Sequence, residues 1–341
     1  TEDPVESASF CHPGFEPGSG VLPVRVLLGH KSRRGASLLL NSSNGKYPML
    51  SRLGLFLTIA ATMAITAATT TNAAAPPPYH AQVHGEGRPV YLIPGLASPG
   101  SVWDELAERL RGQGFQTRVL TLAGFAGQPP LEDDLFLAEV RDALSAEIEA
   151  LDGPKPAVIG HSLGGFMAFW LAATIPDSLA GIVAVDGVPF ISALTNPNAT
   201  PASVDAQAQQ INQYMSNLTP EQYAAQNRAT LAGMIAGKAD LERMAEAGGK
   251  SSPSAVGTAV AEMMTTDLRP MLKDIRVPVV LIQAADSGAS EARREAYAAQ
   301  VESIPDIRHV VAEKGLHFVP LDDPDFVAAE VGRLLQRLEN E

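Results

Sequence analysis

The segment from Ala157 to Gly165, reading Ala-Val-Ile-Gly-His-Ser-Leu-Gly-Gly, constrains this chain more than any other. A short apolar β-rich run meets a sharp turn and passes directly into a helical pattern that runs from Leu163 to about Thr174. A turn this tight holds Ser162 in a strained backbone conformation, so the residues two positions away must be nearly free of side chains. Gly160 and Gly164 meet that demand, and Gly165 relieves contact between helix and sheet. The helix start at Leu163 also aims backbone N–H groups at any oxyanion that forms near Ser162.

The rest of the chain from residue 79 onward supplies a fold for this turn. Strands are expected at 90–93, 117–121, 157–159, 181–185, 277–282 and 307–311, with helices at 103–110, 133–151, 163–174, 290–301 and 325–338. Such alternation implies an α/β fold: a mostly parallel sheet covered by helices on both faces. His80 to Val83 adds an edge strand in a first hairpin, antiparallel to its neighbour. Residues 187–266 break the alternation. Their helical stretches at 204–215, 220–235 and 239–247 read as a helical cap inserted between two strands, because a structureless loop of that length does not suit a compact domain. Met215, Met234, Met244, Met263 and Met264 are expected mostly in the core of that cap.

Three unlike parts make up the 341 residues. Residues 1–48 show no sustained period and read as an unstructured leader or upstream remnant, with a pro-segment as the alternative. Residues 49–75 have the layout of a secretory signal peptide: Arg52 in a positive start, an apolar run from Leu53 to Ala68, and small residues before Pro76. That run falls short of the roughly 20 residues that span a bilayer. Cleavage is therefore expected near Ala73 to Ala75, giving an exported protein without a stable membrane anchor. The remaining body, 76–341, has no cysteine, since Cys11 is the single one in the chain. It carries 19 basic and 34 acidic side chains against 25 and 38 overall. This acidic balance argues against nucleic acid, which requires clustered Lys and Arg.

A serine hydroxyl needs an adjacent base to become a nucleophile at neutral pH. His317 fits best, because it follows a strand in the Gly315-Leu316-His317-Phe318 loop and precedes the last helix. His161 reads as structural, His309 as packed or edge-exposed within a strand, and His80 and His84 as far from the expected strand ends. Trp103 and Phe125 could line an entrance or pack in the core, whereas Phe166, Phe169 and Trp170 read as core.

Several stretches together resemble the α/β-hydrolase fold enzymes, over nearly all of 79–341. Tyr91 to Ala97 is similar to the strand-to-loop segment that supplies half of the oxyanion hole, with Pro94 where many members have His. Gly160 to Gly165 resembles the nucleophile elbow, Asp267-Leu268-Arg269-Pro270 through Val280 the return from cap to sheet, and Gly315 to Phe318 the loop of the catalytic histidine. The resemblance implies Ser162 as nucleophile, His317 as base, and Leu96 and Leu163 as backbone oxyanion donors. It places the acid at Asp286, after the strand that ends near Gln283, although the glycine usual ahead of this acid is missing. Asp186, at the end of the preceding strand, is the alternative, as in some members.

The expectation is a serine hydrolase acting on small-molecule carboxylic esters of small to medium acyl chains. A lactonase or amidase with the same residues is a second reading, and a non-catalytic ligand-binding protein on a hydrolase fold a third. Neither a cofactor nor a metal is called for: the chain has no H-E-x-x-H, no Cys/His cluster and no phosphate-binding G-x-x-x-x-G-K-[ST].

Overall fold

A computed structural model describes residues 77–131, 136–285 and 291–340. The leader and signal-peptide readings, and Asp286, lie outside the described residues. In chain order the elements are β1 (Tyr79–His84), β2 (Pro89–Ile93), α1 (Asp104–Gly112), β3 (Gln116–Leu122), α2 (Phe136–Glu149), β4 (Ala157–His161), α3 (Leu163–Thr174) and β5 (Gly181–Val185). Four insertion helices follow: α4 (Pro201–Ser216), α5 (Pro220–Leu231), α6 (Lys238–Gly248) and α7 (Pro253–Thr265). The chain then returns through β6 (Val279–Ala284), α8 (Glu291–Val301), β7 (Ile307–Ala312), the short α9 (Val319–Asp322) and α10 (Pro324–Asn340).

The strands form one seven-stranded sheet in the order β1-β3-β2-β4-β5-β6-β7, and only β1 runs antiparallel to its neighbour. β1 is the expected edge strand, but it does not close a hairpin with β2. It pairs with β3 from Tyr79 opposite Leu122 to His84 opposite Thr117, because both edges of β2 are already taken by β3 and β4.

Side chains on the central strands alternate between two apolar layers, as the two-residue period of a strand requires. Tyr91, Ile93, Val158, Ile182 and Ala184 pack under α2, α3 and α8 on one face. Val90, Leu92, Ile159, Val183 and Val185 pack under α1 and α10 on the other. With both faces covered, the central strands can be apolar throughout, and every residue of β2, β4, β5 and β6 is buried.

The insertion contains one helix more than expected, α7. Three of its helices open alike, with a Thr or Ser N-cap followed by Pro. Thr200 accepts from Ser203 N–H, Thr219 from Gln222 N–H, and Ser252 from Ala255 N–H. The insertion shares both apolar layers: Tyr223, Val256, Ala259 and Met263 join one, and Leu231, Ile235, Met244 and Ala245 the other. No helix among the described residues is long and apolar enough to cross a membrane.

Candidate active site

Ser162 caps α3 with φ 53° and ψ −115°, a conformation that non-glycine residues seldom adopt. The surroundings leave it no alternative. Its N–H donates to Val185 O (2.8 Å) on the neighbouring strand, and its C=O accepts from Phe166 N–H (3.0 Å) in the first turn of α3. A Cβ on Gly160 would lie 1.9 Å from Gly164 O, and one on Gly164 2.1 Å from Ile93 O. Backbone stands where both side chains would go, so the two glycines are required, as the sequence pattern implied.

Gly95 brings the β2 loop against this turn. A Cβ there would sit 3.3 Å from Ser162 Cβ and 2.9 Å from His161 Nδ1. The loop turns sharply, with Ser98 N–H on Gly95 O (3.1 Å) and Ala97 at φ 55°. Among the described residues, neither Leu96 N–H nor Leu163 N–H has a protein acceptor. These are the two backbone donors expected to face an oxyanion.

His317 stands in the loop between β7 and α9. Its Nδ1–H donates to Asp186 Oδ2 at 2.6 Å. The carboxylate on His317 among the described residues is thus Asp186, the alternative acid, while the favoured Asp286 lies outside them. Nδ1 carries a single hydrogen, and Asp186 takes it. The reason lies in how β5 ends. Asp186 has φ 46° and donates its N–H to Ile282 O (2.7 Å), which pins it between β5 and β6. Ala284 N–H and the Tyr297 hydroxyl each donate to Oδ1 at 3.0 Å, leaving Oδ2 for His317.

These contacts decide the charge on Asp186. Burial works against ionisation, but the hydrogen bond and charge of His317, with the Ala284 N–H, hold the carboxyl below its ordinary value. Tyr297 is the reverse case: burial, then the Asp186 charge, hold its hydroxyl protonated well above its usual range. Tyr297 has no signal in sequence, because an aromatic at a helical position reads as core.

His161 is completely buried, and its Nε2–H donates to His317 O at 2.9 Å. Its ring lies 4.8 Å from that of His317 and 4.6 Å from that of Phe318. The structural reading of His161 therefore gains a definite partner, the backbone of the histidine loop. His309 is half-buried within β7, bonded to Gln283 Oε1 (3.0 Å) and stacked on Tyr297. Trp103 and Phe125 are both fully buried, in the α1 layer and against Phe136 respectively, so they pack in the core and line no entrance. No group of three or more His, Cys, Asp or Glu among the described residues is placed to hold a metal ion.

A strained serine at a strand–helix turn, a histidine oriented by a buried carboxylate, and two free backbone donors define a hydrolytic class of site. The chain belongs to the alpha/beta hydrolase family, whose model matches residues 90–330, and it is a hydrolase. It is 26% identical over 259 residues to a pimeloyl-[acyl-carrier protein] methyl ester esterase from Aliivibrio salmonicida, covering 75% of this chain and 95% of that one. An N-formylmaleamate deformylase from Pseudomonas putida is 28% identical over 262 residues, covering 75% and 92%. Among solved structures, a thermophilic esterase from Thermogutta terrifontis shares the fold with a TM-score of 0.63 at 20% identity, covering 76% and 93%.

Proposed function

We propose that this hydrolase is an exported serine esterase that cleaves carboxylic esters of small to medium acyl chains. Ser162 Oγ attacks the ester carbonyl while His317 Nε2 takes its proton. The negative charge on the carbonyl oxygen falls to the N–H groups of Leu96 and Leu163. His317 then returns the proton to the departing alcohol, leaving an acyl group on Ser162. Water, deprotonated by His317, releases the acid. Asp186 fixes the tautomer of His317 and stabilises the imidazolium in both halves of the reaction.

One observation carries this reading: the 2.6 Å bond from His317 Nδ1 to a buried, ionised Asp186, on a loop beside the strained Ser162 turn. The methyl ester esterase among the relatives supports an ester substrate. The insertion acts as a cap over the acyl pocket, in keeping with its contacts to the loops of Ala97 and His317. The signal-peptide layout of 49–75 supports export.

The test is a panel of p-nitrophenyl esters of graded chain length beside lactones and anilides, with wild type and Ser162→Ala. Turnover highest on acetyl to hexanoyl esters, lost on Ser162→Ala, is expected. Faster turnover of lactones or anilides would overturn the ester assignment.

A further inference from the structure

The half-buried carboxylate of Asp322 closes α9 and lies at the junction of two segments distant in sequence. Its Oδ2 accepts from Leu316 N–H at 2.8 Å, immediately before His317. Its Oδ1 accepts from Ala236 N–H at 3.0 Å, in the link between α5 and α6. A third bond runs alongside, from Phe318 N–H to Met234 O at 3.1 Å. The backbone on each side of His317 is thus tied, Leu316 to Asp322 and Phe318 to the insertion, while His317 O takes the His161 N–H.

The local geometry is shaped around this carboxylate. Gly315 has φ +87°, and a Cβ there would lie 2.4 Å from Asp322 Cβ. A side chain at 315 would push Asp322 away from both N–H groups. One carboxylate bonding two backbone donors through separate oxygens is an arrangement that an amide cannot copy, since its nitrogen would face one of the N–H groups.

We propose that Asp322 is a positioning residue for His317. It clasps the histidine loop to the α5–α6 link, so that seating of the insertion sets where the imidazole stands relative to Ser162. The proposal rests on the reading of His317 as the base. It links insertion and chemistry through one side chain that touches neither substrate nor reacting atoms. A displacement of the base by about 1 Å is enough to lower turnover by about 100-fold.

The test is a double-mutant cycle on p-nitrophenyl acetate with thermal unfolding of each variant. Asp322→Asn is expected to lower kcat by about 100-fold with KM changed less than about 3-fold. In a His317→Ala background the same substitution should leave the residual rate unchanged, because its effect passes through His317. Should Asp322→Asn fail to fold, Asp322→Ala removes the clasp without setting a donor against Ala236 or Leu316, and the same pattern is expected. Two results overturn the proposal: an unchanged kcat in the folded Asp322 variant, or an equal loss with and without His317. If His317→Ala itself keeps full activity, the catalytic reading fails first, and the clasp proposal with it.

Discussion

Burial strips water from His161, and the adjacent His317 adds like-charge repulsion, so its imidazole titrates at about 3 instead of near 6.5. The sign of the consequence follows from proton counting. Between about 3 and 6.5 the unfolded chain holds a proton on this group that the native state does not, so stability falls as pH drops through that window. His161→Gln keeps a donor for His317 O and removes the titration. Urea unfolding at pH 7 and pH 5 should show wild type losing about 2 kcal/mol more than the variant between the two. Equal losses would contradict this. The same scale shows what sequence could and could not convey. Ser162 and its glycines are legible because their spacing is itself a steric requirement. The carboxylate that bonds His317 is not, since Asp186 and Asp286 both follow apolar strands. What selects Asp186 is a backbone torsion and a hydroxyl from Tyr297, and neither has a sequence signature.

Among the elements, strands and flanking helices are legible because burial on both faces makes continuous apolar runs, whereas the insertion is only partly so. The missed helix α7 begins at Ser252-Pro253, the same Ser/Thr-Pro start as α4 and α5, but its Gly257 and β-branched residues weaken its helical pattern. Packing explains the glycine. A Cβ at 257 would meet Asn212 Oδ1 at 2.8 Å and Met215 Cβ at 2.9 Å, so α4 and α7 approach closely only because it is absent. Gly257→Leu should force the helices apart, costing about 1–3 kcal/mol, offset by up to about 1 kcal/mol of helix propensity. A lower Tm and faster tryptic cleavage within 201–265 are expected. Unchanged values for both would show that this contact carries no weight.

At the scale of the whole molecule, the sheet order explains how Asp186 stands beside the Ser162 turn and under His317. β4 and β5 are neighbours, so Ser162 and Asp186 emerge side by side from parallel strands, with Ser162 N–H bonded to Val185 O. β7 lies two strands further on, and only a loop returning from it can bring His317 back over Asp186. That return is tied to the insertion on both sides of the turn into α9: Phe318 N–H donates to Met234 O, and Asp322 of α9 accepts from Ala236 N–H. Alternation of strands and helices made the sheet legible, while no sequence pattern encodes a contact between residues 131 positions apart.

The arrangement of Ser162, His317 and Asp186 is most directly tested by the rate at which a fluorophosphonate probe labels the full chain, with the adduct located by mass spectrometry. Ser162 should carry the adduct, and Asp186→Asn should slow labelling by about 10³–10⁴-fold, whereas Asp286→Asn should label like wild type. An adduct elsewhere, an unslowed Asp186→Asn, or a collapse of labelling in folded Asp286→Asn would contradict it.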